Sequence, residues 1–421
     1  MKHSILSRVT GNDYTFTVLT KVVSLAVGLV ATSFSSRYLG PALMGDYAYI
    51  NTLLTTVAVV ANFGLYQPYP YYKRQGEADA LGKFLRIFSL QYLAYTALGL
   101  LLAVALGSFT LAAVCLIAPV QVLANQLSFM IMVEDVKYKN VVFLTARFTN
   151  TAIITLAFLT LAPSLIVALG LVVVGDVITV VMALRRLGRV GNPLKADMGF
   201  LRKIFGFGLV SMLTTLLLTL NYRLDIAMLT WMGVGSAQVG YYQAGIGLAE
   251  YGWIISDAFR EVLFSRTVRA DAVQNVTFSL KINFYITLAI VAGIVLLGKP
   301  AILILRGAAF LPSYRVTVIL LTGVLSMSYF KLIGTLLLAE GRKGPYLAML
   351  SASVAINAAA NWLTIPVWGI DGAAVASVLS YTVAGAAFLV YFLRVYRVPA
   401  AQVFVFRRQE LAALRARLRR R

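Results

Sequence analysis

Long apolar stretches separated by short polar segments fill almost the whole chain. A bilayer core of about 30 Å needs roughly 20 apolar residues per helix. Backbone in lipid must also satisfy its hydrogen bonds internally. The pattern therefore predicts an all-α integral membrane protein with about 12 transmembrane helices. The predicted spans are residues 14–37, 46–66, 84–106, 109–132, 141–161, 164–184, 204–231, 240–264, 280–298, 315–338, 346–366 and 372–395.

Eight charged side chains lie well inside these apolar stretches. They are Lys21, Arg147, Asp176, Arg223, Asp225, Glu250, Asp257 and Lys331. A charge held in hydrocarbon costs roughly 3 kcal/mol on insertion scales and more in simulation. A chain that keeps so many is predicted to line a polar path across the membrane, which indicates a transporter.

Composition excludes several other classes of protein. Mean hydropathy is +0.83 and only 13% of residues are charged, well below the quarter typical of soluble domains. A single cysteine (Cys115) and a single histidine (His3) exclude a disulfide framework, a cysteine-ligated metal and Ser-His-Asp catalysis. No phosphate-cradling Walker loop is visible. We therefore predict a non-enzyme with no catalytic residue, no metal and no cofactor.

Lysine and arginine divide unevenly between the two sets of loops. One set holds 29, the other holds 4, and 4 more lie inside spans, which accounts for all 37. Because basic loops face the cytoplasm, both termini are predicted to be cytoplasmic. The net charge of +21 is then a topology signal, and no nucleic-acid partner is predicted. Residues 400–421 are predicted to form a basic amphipathic tail on the anionic inner leaflet, with membrane lipids as partners.

A weak internal repeat divides the chain into two halves. Gly40, Gly45 and Tyr47 align with a second set of the same residue types at one offset of 195, namely Gly235, Gly240 and Tyr242. The pattern predicts two six-helix lobes related by a pseudo-two-fold axis along the membrane normal. The predicted lobes are residues 1–198 and 199–399, followed by the tail at 400–421.

Polar residues recur at three- and four-residue steps on five spans, so that each set shares one helical face. We predict that these faces meet in a wet cavity. Its cationic substrate-binding residues are Lys21, Arg147, Arg223 and Lys331. Its supporting polar residues are Tyr14, Thr17, Ser24, Asn150, Asn357 and Asn361. The cations suit an anionic ligand that is loaded from the cytoplasm and passed outward.

Three buried acids are candidates for ion coupling. Glu250 lies in mid-span with no basic residue one turn away, and Asp176 lies in a similar apolar setting. Asp225 is the third, although it could instead form a local pair with Arg223. Simpler structural roles are also open for several polar residues. Lys21 and Lys331 could reach the interface, Asp257 and Arg260 could form a salt bridge, and small hydroxyl residues could serve helix packing alone.

Five segments in order along the chain carry a resemblance to a known family. They are RYLGPALMGDYAY at 37–49, NFGLYQPYPYYKR at 62–74, NYRLDIAMLTWMGVGSAQVGYYQA at 221–244, AEGRKGPYLAML at 339–350 and WGIDGAAVASVLSYTV at 368–383. Over residues 12–396 the sequence resembles the polysaccharide-biosynthesis flippases of the O-antigen and teichuronic-acid type. These belong to the multidrug/oligosaccharidyl-lipid/polysaccharide (MOP) exporter superfamily.

The resemblance implies a two-lobed fold with alternating access in a bacterial inner membrane. It implies that an undecaprenyl-diphosphate-linked oligosaccharide moves from the inner to the outer leaflet for surface polysaccharide synthesis, with other polysaccharide-assembly membrane proteins as partners. It assigns the cationic cavity to Lys21, Arg147, Arg223 and Lys331. Two further functions stay open: an ion-coupled multidrug or small-solute exporter of the same fold, and a membrane-embedded glycan polymerase or ligase, which the short outer loops disfavour.

Overall fold

The computed structural model describes residues 13–188, 191–266 and 272–406. Within its helices, the side chains of 13–19, 21, 22, 261, 262 and 264–266 fall outside the description. Of the predicted site residues, Lys21, Tyr14 and Thr17 therefore lie outside the described side chains, and 407–421 of the predicted basic tail lie outside the described residues.

The chain as described is helical throughout, with no strand among the described residues. The first seven helices run to the middle of the chain. They are α1 (Asp13–Ala61), α2 (Tyr69–Arg74), α3 (Ala80–Ala105), α4 (Phe109–Glu134), α5 (Val136–Thr160), α6 (Leu165–Leu187) and α7 (Met198–Trp231).

Six more helices complete the described fold. They are α8 (Ser236–Ala249), α9 (Ile254–Arg266), α10 (Ala272–Leu305), α11 (Ser313–Ala339), α12 (Lys343–Val395) and α13 (Ala400–Phe404). A 3₁₀ turn at Glu250–Trp253 joins α8 to α9.

Two of the long helices are each a pair of predicted spans joined at a glycine kink. In α1 the backbone at Gly40 has φ of 66° and is followed by Pro41, and in α12 the backbone at Gly369 has φ of 57°. Positive φ is favourable for glycine because it has no Cβ, and proline is well placed to begin the next helix. The apolar pattern predicts the two spans on either side of each kink, and the non-helical backbone at Gly40 and Gly369 confirms that each long helix is two helical segments joined without a loop.

Nine described helices are long and apolar enough to cross a membrane. Two of them, α1 and α12, cover two predicted spans each, so the nine account for eleven spans. The twelfth predicted span, 240–264, falls on α8, the 3₁₀ turn and α9. The predicted all-α integral membrane fold is confirmed, and the protein is a multi-pass membrane protein.

The chain divides into two compact units. The first unit is Met1–Leu220 with Ile304–Ala309, and the second is Asn221–Leu303 with Phe310–Arg421. The division falls inside α7, whereas the repeat predicts a lobe boundary at 198/199, the start of that helix. The predicted pseudo-two-fold axis stays a prediction.

An aromatic cluster holds one end of the first unit together. The rings of Tyr69, Phe84 and Phe200 pack edge to face, with Tyr69 and Phe84 at a centroid distance of 5.3 Å. The Tyr69 hydroxyl donates to Glu134, which Lys73 also reaches at 2.7 Å. Burial of these rings adds apolar stabilisation to the polar contacts at this helix end.

A charged turn joins α4 to α5. The backbone N–H of Tyr138 donates to Asp135 at 2.9 Å, and Arg186 of α6 lies 3.1 Å from the same carboxylate. The backbone hydrogen bond and then the guanidinium hold the pKa of Asp135 below its usual range. This N-cap therefore stays ionised at neutral pH.

The end of the chain as described packs against the second unit. Val403 is buried, the Tyr285 hydroxyl donates to the Phe404 carbonyl at 2.8 Å, and the Phe406 ring lies 5.3 Å from Lys281 Nζ. The helix of the predicted amphipathic tail is described only over Ala400–Phe404, after which Val405 is extended.

Close packing of α11 against the second half of α12 yields a test of the fold. A Cβ on Gly385 would lie 2.2 Å from the backbone oxygen of Ser326, whereas a Cβ on Gly293 of α10 would meet nothing within 4 Å. Gly385→Ala should therefore destabilise the protein by about 1–3 kcal/mol through overpacking. Gly293→Ala, the same change at an open helical position, should be neutral or stabilising. Thermal unfolding in detergent measures both, and equal melting temperatures would contradict the packing.

Candidate functional site

A buried carboxylate forms the centre of a polar network in the second unit. Asp225 of α7 is only 2% exposed. It accepts hydrogen bonds from the Tyr242 hydroxyl, from the Ser377 hydroxyl at 3.0 Å and from the backbone N–H of Ile226 at 2.8 Å. Neither of the side-chain donors is a cation. A carboxylate that is held by neutral donors alone keeps its charge available for a proton or a metal cation.

The network continues along α12 through two asparagines. Asn357 donates to Ser377 at 3.4 Å, and Asn361 donates to the Asn357 oxygen at 3.0 Å. Asn221 of α7 donates to Ser353 at 2.8 Å. All of these side chains are buried. The Asn361 Oδ1 atom at the end of the chain of hydrogen bonds has no partner among the described residues, so the network retains acceptor capacity.

A second polar cluster in the same unit surrounds Lys331 of α11. Its Nζ atom lies 2.8 and 2.9 Å from the two carboxylate oxygens of Asp257 on α9. The same nitrogen lies 4.8 Å from the Trp253 ring centroid and 5.6 Å from that of Tyr222. The Lys331 side chain is 5% exposed and that of Asp257 is 38% exposed. Lys331 is therefore a buried cation held by a carboxylate and two aromatic faces.

The 3₁₀ turn between α8 and α9 carries a further ion pair of this unit. Glu250 begins the turn and lies 3.4 Å from an Arg223 nitrogen, with both side chains about one-third exposed. Arg223 thus pairs with Glu250 rather than with its neighbour Asp225. The sequence shows no basic residue one turn from Glu250, and the partner comes from a different helix.

In the first unit, Arg147 of α5 crosses α1 at a glycine. A Cβ on Gly28 would lie 1.9 Å from an Arg147 terminal nitrogen, so the guanidinium in this position packs directly against the α1 backbone. The Arg147 Nε atom is buried without a hydrogen-bond partner, and no described carboxylate lies within 4 Å of the side chain. The guanidinium has donors to offer to a ligand.

Three more predicted residues of the first unit bring polar groups into its interior. Asp176 Oδ2 and Asn150 Oδ1 are buried without hydrogen-bond partners among the described residues. A Cβ on Gly175, next to Asp176, would lie 2.9 Å from Asn150 Nδ2, which brings α5 and α6 close together here. Ser24 is buried on α1. This unit therefore holds polar groups that its own described side chains do not satisfy.

The predicted cations whose side chains are described lie in both units. Arg147 lies in the first, and Arg223 and Lys331 lie in the second. The hypotheses of a local Arg223–Asp225 pair and of an Asp257–Arg260 bridge are wrong, since Arg223 contacts Glu250 and Asp257 contacts Lys331. A single cavity that joins the cations stays a prediction.

Several residues of these clusters are absent from the predicted site. Tyr242 and Ser377 hold Asp225, and Asn221 extends its network. Tyr242 belongs to the internal repeat and Asp257 to the embedded charges, so the sequence carries a signal for both. Nothing in the sequence distinguishes Ser377 from a small residue that serves helix packing.

Solved structures with the same fold are membrane transporters. The lipid II flippase MurJ in an inward closed conformation matches with a TM-score of 0.70 and 14% identity, over 92% of this chain and 88% of that one. An inward-facing multidrug resistance MATE family transporter of the MOP superfamily matches with a TM-score of 0.68 and 14% identity, over 90% and 96% of the two chains.

A third match is a MOP superfamily transporter from Pyrococcus furiosus, with a TM-score of 0.60 and 14% identity over 92% and 94% of the two chains. No protein-family model matches this sequence, and no curated protein matches it significantly. At such low identity the likeness shows the fold: the chain has the fold of the MOP superfamily transporters. The two compact units agree with the two-lobed arrangement of that fold.

The unequal burial of Lys331 and Asp257 predicts unequal effects of removing each. Asp257→Ala leaves a buried ammonium without a counter-charge, which costs up to about 3–5 kcal/mol for a buried pair. Lys331→Met keeps the apolar stem against Trp253 and leaves only a part-exposed carboxylate, so the loss should be smaller. Thermal unfolding of both variants checks the order.

Glu250→Ala is the matched control, because its partner Arg223 is part-exposed and the nitrogen–oxygen distance of that ion pair, 3.4 Å, is long. It should change stability by about 1 kcal/mol or less. Equal losses for Asp257→Ala and Lys331→Met would contradict a buried, carboxylate-dependent Lys331.

Proposed function

We propose that this protein is a flippase that moves an undecaprenyl-diphosphate-linked oligosaccharide from the inner to the outer leaflet of a bacterial plasma membrane for surface polysaccharide synthesis. The observation that carries the proposal is Arg147, a guanidinium inside a membrane span with no carboxylate partner among the described residues. A cation that is kept at such cost and has no carboxylate partner among the described residues is best explained by an external anion.

A lipid diphosphate supplies that anion. Its headgroup carries at least two negative charges, and passage through dry hydrocarbon is prohibitive. Arginine is the side chain best suited to phosphate, since its planar fork donates two parallel hydrogen bonds. The lipid tail can remain in the bilayer while the headgroup passes along polar side chains of the spans. Lys21, whose side chain lies outside the described residues, belongs to the same proposal as a second cation of the first unit.

Ion coupling supplies the direction of transport in this proposal, and Asp225 is its site. The carboxylate and the Tyr242 and Ser377 hydroxyls form a buried group of oxygens without a paired lysine or arginine among the described residues. Oxygen ligands suit a hard cation such as Na⁺. Glu250, which already contacts Arg223, becomes the weaker candidate, and Asp176 remains a candidate in the first unit.

The proposal also includes the orientation of the protein in the membrane and its protein partners. Both termini are cytoplasmic by the distribution of basic residues, and the protein works beside other membrane proteins of polysaccharide assembly. It performs no covalent chemistry. The Asp176 Oδ2 atom, which has no hydrogen-bond partner among the described residues, favours a second candidate, an ion-coupled multidrug exporter, because a buried acid in the first unit could hold a cationic drug or a proton.

In the absence of its flippase, a lipid-linked substrate should accumulate in the inner membrane. In cells that lack this protein, mass spectrometry of inner-membrane lipids should reveal one undecaprenyl-diphosphate oligosaccharide that accumulates. Arg147→Ala should fail to relieve the accumulation, while Arg315→Ala, an exposed arginine paired with Asp371, should relieve it fully. Membrane insertion of both variants is checked by immunoblot.

The opposite result has a clear meaning. If no lipid accumulates and surface glycans remain intact, while overexpression confers drug resistance that Asp176→Asn abolishes, the multidrug exporter replaces the flippase.

A sodium site at Asp225 predicts ligand-dependent stability. A cation that binds only the folded protein stabilises it by about 2.7 kcal/mol at a concentration 100 times its Kd. The melting temperature of the purified protein should therefore rise with NaCl relative to choline chloride, and Asp225→Asn should remove the rise. Glu250→Gln should keep it. A sodium effect that survives Asp225→Asn and disappears in Glu250→Gln would move the coupling site to the 3₁₀ turn.

A further inference from the structure

The first unit contains a cavity of mixed polar and apolar lining that none of the eight embedded charges lines. It has a volume of about 370 Å³, within the range of small-molecule sites. Its lining combines amides and hydroxyls (Asn62, Asn125, Ser128 and Thr215), one lysine (Lys139), two aromatic rings (Tyr66 and Phe129) and the apolar side chains of Val59, Met132 and Met212. Another cavity of this unit, next to Cys115, is lined mainly by apolar side chains, as expected for a surface that faces acyl chains.

Lys139 is the one cation that lines this cavity, and it has no carboxylate partner among the described residues. The two acids nearest in sequence are already engaged: Glu134 pairs with Lys73 at 2.7 Å, and Asp135 pairs with Arg186 at 3.1 Å. A lysine at the start of a membrane span, beside two acids that pair elsewhere, presents its charge to whatever occupies the cavity.

The remaining lining has the chemistry of a carbohydrate site. Tyr66 and Phe129 pack with centroids 4.9 Å apart, which provides an aromatic wall for the C–H face of a sugar ring. Asn62 is 4% exposed, and its Oδ1 atom has no hydrogen-bond partner among the described residues. That atom is enclosed, but the amides and hydroxyls that line the cavity can both donate to and accept from sugar hydroxyls, whereas a fully ionised phosphate offers only acceptors.

The cavity is also linked to Arg147 along one face of α5. Lys139, Phe143 and Arg147 follow at four-residue steps, and the Phe143 ring lies 5.7 Å from Lys139 Nζ and 5.8 Å from the Arg147 guanidinium carbon. The rise along eight residues of helix separates the two Cα atoms by about 12 Å, and because both charges lie near the same ring they are at most 5.7 + 5.8 = 11.5 Å apart. That spacing suits a lipid-linked saccharide whose diphosphate contacts one cation while a sugar beyond it contacts the other.

We propose that this cavity binds an acidic sugar residue of the carried oligosaccharide, with Lys139 on its carboxylate, the amides and hydroxyls on its ring hydroxyls, and Tyr66 and Phe129 against its apolar face. The proposal rests on the flippase function and adds to it: the glycan contains a uronic acid or another sugar with a carboxylate. Lys139 is then a specificity residue, distinct from the cation that holds the diphosphate.

Binding of defined saccharides to the full-length protein in nanodiscs tests the proposal. The probes are tetragalacturonic acid, neutral maltotetraose and inorganic pyrophosphate, each measured by isothermal titration calorimetry at low salt. The wild type should bind tetragalacturonate in preference to maltotetraose. Lys139→Gln should weaken tetragalacturonate binding about tenfold, the loss expected for one charged hydrogen bond, and should leave pyrophosphate binding unchanged.

Two further variants separate charge recognition from misfolding. Lys139→Arg keeps the charge and should keep the preference for the acidic probe. Lys137→Gln removes a cation two residues away that does not line the cavity, and it should bind as the wild type does. Size-exclusion profiles of all variants check folding.

Three outcomes would overturn the proposal: equal binding of the acidic and neutral probes by the wild type, unchanged tetragalacturonate binding in Lys139→Gln, or a loss confined to pyrophosphate, which would make the cavity a phosphate site. Failure of the flippase function looks different. In that case Lys139→Gln still loses tetragalacturonate binding, but no lipid-linked saccharide accumulates in cells that lack the protein.

Discussion

A charged side chain inside a membrane span needs a counter-charge, a hydrogen-bond partner or water, because hydrocarbon supplies none of them. The second unit meets this requirement internally. Lys331 is held by Asp257, Arg223 contacts Glu250, and Asp225 accepts from two hydroxyls and a backbone N–H. The first unit does so only in part, since buried atoms of Arg147 and Asp176 lack partners among the described residues.

This difference bears on which cations can hold a substrate. An ammonium that already binds a carboxylate at 2.8 Å offers little to a second anion unless the pair first opens. Arg147 has no carboxylate within 4 Å among the described residues. The predicted cations therefore divide into those without a described carboxylate partner, such as Arg147, and those already paired, such as Lys331, whose pair would have to open before it could bind another anion.

The sequence predicts a structural feature well when one local property determines it. The length of an apolar stretch relative to the thickness of the bilayer is such a property, and every predicted span falls largely on described helix, including both sides of the kinks at Gly40 and Gly369. It fails where partners come from distant segments. Asp257 lies 74 residues from Lys331, and nothing local to either residue indicates the other. The buried network around Asp225 likewise unites α7, α8 and both halves of α12, a juxtaposition that only tertiary packing creates.

The internal repeat shows how two similar halves can acquire different chemistry. At the offset of 195, Tyr242 corresponds to Tyr47, but Asp225 corresponds to residue 225 − 195 = 30, which is Val30. The tyrosine is therefore shared by both halves, and the carboxylate that it holds belongs to the second alone. A fold that hosts both a lipid II flippase and multidrug transporters does not decide the substrate. At the same offset Arg147 corresponds to residue 147 + 195 = 342, which is Arg342, so both halves carry an arginine there. The two arginines differ in their partners: Arg342 pairs with Glu340 at 3.0 Å, whereas Arg147 has no carboxylate within 4 Å among the described residues. The halves therefore differ both in a carboxylate, Asp225, that only the second carries and in how a shared basic position is paired.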